Sequence, residues 1–552
     1  MKAFFLRLKA SLLARLLAVL AFGAFLTCWQ VCQADREMRT ALLEQTLRVG
    51  QAVDVNGLRA LTGTAEDLKK PEYLRLKDQL AATRDANLQC RFIYLLGQRA
   101  DGTIFFFVDN EPPDAKDCSP AGQVYEEASA GCHRIFASRA AAVEGPISDR
   151  WGTWVSGLVP ILDQPPNQPQ TGGLIAVLGM DIDARDWNGI LARAALPPVL
   201  LTLALAALLL LGSILLSRRS LLAGESPRWM HHLEPALAVA VGLALTLFSA
   251  WVAHKREAVQ RIQAFEQMAN SQISRIAGIL GDIRDSQLNG LALYCEGNKM
   301  SSAADFEKQV SYLTKNPAVQ AWAWVPAVPA ADKTRFEDAA RSAGGMPGFE
   351  IWRENWQGLR APASRRQTYY PIFYLVPLET NEGMLGYDLG SETLLNVAIN
   401  DAAATGLVTA PDPEIFLQAA GGGKSLLIFR PVFEGEGTKT LRGVALAVLR
   451  MDWLLPKAAE TSAVFLDLSL LRKNAHPELL ASNFPRSRQK AMPISVTIPI
   501  FAFGKVVAVT AYPGEGFLRQ TGAAWLIALA GLSLTALLAA VLILIHRRQV
   551  DP

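Results

Sequence analysis

LPPVLLTLALAALLLLGSILL, Leu196 to Leu216, is followed across a short basic loop by PALAVAVGLALTLFSAWVA, Pro235 to Ala253, and this pair of runs decides the fold. Neither carries a charge. A helix needs roughly 20 mainly apolar residues to cross the hydrocarbon core of a bilayer. In lipid, only a helix or a closed barrel satisfies its own backbone N–H and C=O groups. The two runs therefore read as spans joined in a hairpin. Thr521 to Ile545 is a third charge-free run of that length, and Leu12 to Val31 is a fourth, weaker apolar run. Arg15 interrupts the fourth near its end, where its head can snorkel to the interface. A leader cleaved after Ala34 is the alternative for this first segment; the length of the run and Cys32 in the cleavage motif favour an anchor that stays.

Basic residues near the spans set their orientation. Lys2, Arg7, Lys9 and Arg15 precede or open the first span, Arg218, Arg219 and Arg228 with His231 and His232 fill the middle loop, and Arg547 and Arg548 follow the last span. With four crossings these groups share one side, which becomes the cytoplasmic one. Lys255 and Arg256 run against the rule and are outnumbered. Both large polar blocks then lie outside the cell membrane.

The formal net charge of +3 is nearly neutral, and no basic run is interleaved with aromatics, so no nucleic-acid partner is expected. Hydrophobic content of 51% suits four spans attached to ordinary globular domains. Of six cysteines, Cys118 and Cys132 bracket a short loop and are the first choice for a disulfide; Cys90 would remain unpaired in the same block. CxxC and HExxH spacings are absent from the sequence, so neither a metal site nor a cofactor is expected. G-x-S-x-G and a Gly-rich phosphate loop are absent too, and no catalytic residues are assigned. His231-His232-Leu-Glu-Pro has the letters of a phospho-acceptor box, but its loop is too short for a kinase helix pair. His133 and His476 stand alone in polar contexts.

The first polar block opens with helical spacing from Asp35 to Leu80 and then changes period. RFIYLLG, a turn at Ala100-Asp101-Gly102, and TIFFFVD read as a hairpin. WGTWVSGLVPILD and GGLIAVLGMDID read as two further strands, joined through Gln164 to Thr171. YLLGQRADGTIFFFVD, VEGPISDRWGTWVSGLVPI and AVLGMDIDARDW resemble the outer PAS-like or Cache-like domains of bacterial sensors. Arg91, Tyr94, Trp151 and Trp154 are candidates to line a small-molecule cavity; strict alternation would place Arg91 and Tyr94, and likewise the two tryptophans, on opposite faces. Asp181 and Asp183 read as a polar strand end leading to the next span.

After the third span the helical pattern resumes. Val259, Glu266, Ile273 and Leu280 form one seam, and Ile262, Ala269, Ile276 and Ile283 a second. This spacing fits a two-chain coiled-coil stalk or a helix packed on its own domain equally well. The block beyond it is rich in β-type runs: VQAWAWVPAV, QTYYPIFYLVPL, SLLIFRPVFEG and RGVALAVLRMDW. SETLLNVAINDAAAT reads as a helix with Ser391 as N-cap and Gly406 as its stop. GGLIAVLGMD, Gly172 to Asp181, and GVALAVLRMD, Gly443 to Asp452, share G-x-x-x-A-V-L-x-M-D, a faint internal repeat of two late strands.

NPAVQAWAWVPAVPAADKTRFED, then TYYPIFYLVPLETNEGMLGYDLGSETLLNVAINDAAATGLVTA, then LLIFRPVFEG follow one another in the order of the CHASE domain, which this region resembles. That resemblance implies a multi-domain α+β membrane protein: four transmembrane helices and two extracytoplasmic PAS-like antiparallel-sheet domains, the second a CHASE domain on a long helical stalk. It divides the chain into 1–34 (tail and first span), 35–190 (first sensor domain), 191–217 (second span), 218–233 (loop), 234–253 (third span), 254–284 (stalk), 285–518 (CHASE), 519–546 (fourth span) and 547–552 (tail). It also implies extracytoplasmic ligand sensing by the input region of a histidine kinase-type receptor in a bacterial inner membrane, a small-molecule ligand, a homodimer and a downstream signalling domain or protein. The input half of a cyclic-dinucleotide enzyme, or a sensor or scaffold working through a separate subunit, is the alternative, since bacterial CHASE proteins usually continue past the last span and this sequence stops at Pro552. Asp388 in GYDLGS aligns with the acidic ligand-facing position of plant relatives; Trp324, Tyr370, Phe373, Tyr374, Leu389 and Thr405 complete the expected ligand set. Each strand aromatic could equally be core, and Asp388 could equally tie the sheet together.

Overall fold

The computed structural model describes residues 2–87, 89–163, 172–221, 233–297, 302–342, 346–411, 424–435, 440–456, 463–484, 494–514, 517 and 524–550. The middle-loop residues Arg228, His231 and His232, and the linker Gln164 to Thr171, lie outside that set.

Among the described residues four helices are long and apolar enough to cross a membrane. They are α1 (Lys2–Ala52), α5 (Ala184–Leu221), α6 (Leu233–Asp282) and α11 (Ala524–Val550). Small residues let them approach closely. A Cβ on Gly23 of α1 would lie 2.1 Å from Thr202 of α5. Gly242 of α6 faces Thr535 of α11, and Gly531 of α11 faces Thr246 of α6, with similarly little room.

The first polar block wraps one sheet. Its strands are β1 (Phe92–Gln98), β2 (Ile104–Asp109), β3 (Ala142–Asp149), β4 (Gly152–Leu162) and β5 (Leu174–Asp183). They pair antiparallel in the order β2-β1-β5-β4-β3. The lower half of α1, α2 (Val55–Arg59) and α3 (Pro71–Asp85) cover one face, burying Leu42, Val49, Leu58, Leu76 and Leu80 against it. α4 (Ala130–Ser138) covers part of the other through Cys132, Ile135 and Phe136. All six cysteines are free. The expected Cys118–Cys132 bridge is absent, because Cys118 sits beside Lys77 and Asp109 while Cys132 is buried on the sheet-facing side of α4.

The second block hangs on α6, which runs 50 residues from apolar span to folded core and continues through a π-helical turn into α7 (Leu288–Gly297). α8 (Ala303–Val310) leads into β6 (Val319–Pro326), β7 (Val328–Pro329), α9 (Lys333–Ser342), β8 (Trp352–Glu354), β9 (Arg360–Pro362), β10 (Thr368–Tyr369) and β11 (Tyr374–Val376). α10 (Thr393–Thr405), β12 (Ser425–Phe433) and β13 (Leu441–Arg450) complete a sheet ordered β11-β6-β13-β12. A last sheet, β15-β14-β17-β16, comprises β14 (Val464–Leu471), β15 (Glu478–Ser482), β16 (Val496–Ala502) and β17 (Lys505–Pro513). In these three larger sheets the last strand lies between the first strand and the strand before last. Both copies of the internal repeat fall on that inserted strand, β5 and β13.

Phe265, Ala269, Ile273, Ile276, Leu280 and Ile283 of the stalk are buried against this block's own sheets. From Ala269 onward the seam that would have served a partner chain is therefore used internally; of the expected seam residues below it, Ile262 is exposed and Val259 half-buried. Glu266, the polar break in the seam, lies 3.5 Å from Arg48 of α1. The two polar blocks share a core: Leu471, Phe501, Val506 and Ala508 of the last sheet bury with α1 and α3. Arg75 of α3 donates to the carbonyl of Val408 (2.9 Å) and to Thr409 Oγ1 (2.8 Å).

Candidate functional site

Alternation along β6 splits the expected ligand set. Ala321, Ala323 and Val325 face α10, while Trp322 and Trp324 face the stalk. Tyr374, paired with Trp324 across β11 and β6, shares the stalk side and stacks on Phe306 of α8 (5.5 Å). Half-buried Phe373 touches Tyr374 (4.4 Å) and packs with Phe336 and Phe349. Tyr370, Asp388 and Leu389 lie together with the core that α10 covers, where Leu395, Ile399 and Ala402 are buried. Thr405 ends α10, about 20 Å along the helix from the Asp388 end at 1.5 Å per residue. Its hydroxyl donates to the carbonyl of Asp401 (2.6 Å). The helix starts at Thr393 after an extended Glu392, later than Ser391 would have capped it, and Gly406 ends it in the left-handed conformation.

Asp388 is fully buried. Its Oδ1 accepts from the N–H of Tyr370 (2.8 Å) and of Gly390 (3.1 Å). Its Oδ2 lies 3.2 Å from Nε of Arg366, an ion pair without hydrogen-bond alignment that leaves both atoms with no hydrogen-bond partner among the described residues. Arg366 also donates to the carbonyl of Gly390. The loop that carries Asp388 is stitched on both sides: its N–H donates to Trp352 O (2.8 Å), and Leu389 N–H donates to Tyr370 O (3.0 Å). Trp352 and Tyr387 close the same cluster edge to face at 5.1 Å. Burial pushes the Asp388 carboxyl above its ordinary value, opposed by the Tyr370 N–H, Arg366 and the Gly390 N–H. Burial and the charge of Asp388 push the Tyr370 phenol up as well. Arg366, Trp352 and Tyr387 were not among the expected residues; they meet Asp388 through loops whose separation follows no regular period. Among the described residues no group of three His, Cys, Asp or Glu side chains is placed to hold a metal ion.

In the first block Tyr94, Trp151 and Trp154 line one small cavity. The two tryptophans share it, contrary to strict alternation, because Trp151 precedes β4 in a turn where the strand period does not apply. Arg91 instead pairs with Glu111 (2.7 Å) and Asp117 (3.1 Å) and stacks on Phe92. Asp181 is no solvated strand end: it is buried and accepts from the Tyr94 hydroxyl (3.0 Å). Asp183 accepts from the Arg185 N–H (2.7 Å) at the start of α5.

Residues 301–480 match the CHASE domain family, so the chain carries a CHASE domain. Among solved structures it is similar to the extracellular domain of mmHK1S-Z2, a proposed histidine kinase, at 12% identity and a TM-score of 0.24, over 49% of this chain and 100% of that one. No curated protein matches.

Proposed function

We propose that the chain is the input region of a multi-pass receptor of the bacterial inner membrane, of the histidine kinase type, reading a small molecule outside the membrane. In this reading α1, α5, α6 and α11 cross the bilayer, and the blocks at 35–190 and 285–518 stand on the outer side with α6 as stalk between span and CHASE domain. Ligand contacts Asp388, Tyr370 and Leu389 together with Arg366, Trp352 and Tyr387; Trp324, Phe373 and Tyr374 shape the opposite face of the sheet. Two copies meet through the exposed lower seam around Ile262, and a downstream signalling domain or protein receives the output.

The observation that carries the reading is the continuity of α6. One helix contains an apolar span and, from Phe265 on, the core of the domain that matches the CHASE family. A shift in that core is thus mechanically a shift of a span. Asp388 Oδ2 and Arg366 Nε, buried without hydrogen-bond partners, support the cradle as the place where ligand polar groups bind.

The test is a thermal-shift screen of the full chain in nanodiscs against adenine derivatives, amino acids, peptides and carboxylates. A stabilising compound must lose its effect in Asp388→Asn. In intact cells, with the six native cysteines replaced by serine, a Trp356→Cys variant, at a position 90% exposed, must react with an impermeant maleimide added from outside. A hit indifferent to Asp388→Asn sinks the site, and labelling from the cytoplasmic side alone sinks the topology.

A further inference from the structure

The cavity of the first block has a chemistry of its own. Its walls carry the rings of Tyr94, Phe106, Tyr125, Trp151 and Trp154. Tyr94 and Trp151 each meet Phe106 edge to face, at 5.7 and 5.8 Å, and Tyr125 lies 6.0 Å from Trp151. Phe92, Ser119 and four aspartates complete the lining, and it contains no lysine, arginine or histidine.

Two of these carboxylates are neutralised from outside the box. Asp109 pairs with Lys77 (2.5 Å), and Asp117 with Arg91. Asp149 and Asp181 have no such partner among the described ion pairs. Arg150, adjacent in sequence to Asp149, is held by both oxygens of Glu127 and stacks on Trp151. Asp149 instead orders the box. Its Oδ1 accepts from the Trp154 indole N–H (3.0 Å) and from the N–H of Trp151 (2.9 Å), and its Oδ2 from the Tyr125 hydroxyl (3.1 Å). Asp181 fixes the Tyr94 hydroxyl. The rings are therefore oriented by acids before any ligand arrives.

Aromatic faces attract cations, most strongly when water is excluded, and quaternary and methylated ammonium groups are the usual occupants of such cages. A carboxylate 95% buried beside a second one is costly unless a positive charge joins them. The cavity, about 30 Å³, exceeds the ~10–15 Å³ a single water requires and is too small for a nucleobase. Tyr125 and Trp151 are only half-buried, so a tail can leave past them.

We propose that this box is a second ligand site, which takes a small organic ammonium ion (a primary or N-methylated amine head) among its aromatic rings, with Asp149 and Asp181 as counter-charges. The groups facing Asp181 are Tyr94, Tyr125, Ser156, Asp149, Glu144, Cys90 and Cys132, none of them cationic. Seating a cation there draws the proton from Asp181, so binding near pH 6 releases protons.

Calorimetric titration of the full chain in nanodiscs with methylammonium, trimethylammonium and ethanolammonium chlorides tests this, with tert-butanol and pivalate as neutral and anionic controls. At least one ammonium probe binds saturably, one per chain. Affinity falls tenfold or more in Asp181→Asn and in Trp151→Ala, and Trp151→Phe restores most of it. Titrations at pH 6 in two buffers of different ionisation heat show proton release that Asp181→Asn abolishes. Binding of tert-butanol or pivalate as tight as that of the ammonium probes overturns the proposal. So does unchanged affinity in both Asp181→Asn and Trp151→Ala, or no saturable binding of any ammonium probe at millimolar concentrations.

Discussion

Replacing Asp181 with asparagine removes one proton-binding group while keeping an oxygen that can accept from Tyr94 and Ser156. Burial, which strips water from the charged form, pushes this carboxyl from 3.8 up to about 7, with Asp149 and Glu144 adding repulsion and the hydrogen bonds from Ser156 and Tyr94 opposing them. Between those values the folded protein holds a proton that the unfolded chain has released. Stability is then fully present below about pH 4 and falls by roughly 1.4 kcal/mol per pH unit until it levels near pH 7. The whole gap amounts to roughly 4 kcal/mol, and the part between pH 5 and pH 7 to roughly 3 kcal/mol. At about 2–4 °C per kcal/mol for a domain of this size, wild type loses about 6–12 °C of melting temperature relative to Asp181→Asn over that interval. Tryptophan fluorescence of the full chain in nanodiscs reads this directly, in phosphate buffer, since an amine buffer would occupy the box and hold the carboxylate charged. The variant should match wild type near pH 4 and exceed it at pH 8. Parallel melting curves, or a wild type that gains on the variant as pH rises, would refute the reasoning, because Asp181 would then be an ordinary ionised carboxylate with a counter-charge.

Two further outcomes follow from packing and from the contact between the blocks. Trp322 is fully buried between the CHASE sheet and the stalk, with its indole N–H on the Leu313 carbonyl (3.2 Å), so Trp322→Ala should cost about 3–5 kcal/mol and show as rapid proteolysis of the second block. Arg75→Ala removes the donors to Val408 and Thr409, and hydrogen exchange after α10, near residues 407–410, should rise about tenfold, the size of one charge-assisted hydrogen bond, with the sheet interiors unchanged.

The apolar helices were legible because lipid permits so few solutions: a charge-free run of span length has almost no other reading. The strands β1, β2, β4 and β5 were legible from apolar runs between turn residues. β3 was not, since AVEGPISD is a half-exposed edge with neither an apolar run nor clean alternation. The stalk showed its two seams but not their partner, because burial against one's own sheet and burial against a second chain select the same letters at the same spacing. Asp388 was found through a family pattern, whereas Arg366 was missed: an ion pair between two loops leaves no periodic trace. Trp151 and Trp154 were misassigned to opposite faces by a rule valid only inside a strand, and a pair of aspartates that looked like a polar strand end contained the buried Asp181.

The shared core between the blocks bears on how two sensing sites could act on one output. The last sheet, β14 to β17, lies between β13 in sequence and α11, so it ties the CHASE sheet to the fourth apolar helix, while the same sheet buries Phe501 and Val506 against α1 and α3 of the first block. Between α1, α6 and β16 lies a cavity of about 810 Å³ lined by Arg48, Gln51, Glu266, Asn270 and Arg284. A polar, roomy seam at that place differs from the dry packing of the stalk against its own domain: side chains there can exchange partners at little cost, whereas the dry core must move as a unit. The first block therefore grips the stalk loosely through Arg48 and Glu266 and grips the last sheet firmly through apolar contact. A ligand in either block can bias the same helix pair only if it changes the relative free energy of two arrangements of that seam. In the proposed receptor, Arg48→Ala should then leave each site's ligand contacts intact while weakening the effect of one ligand on the affinity of the other, and equal coupling in Arg48→Ala and wild type would place the connection in the apolar contact instead.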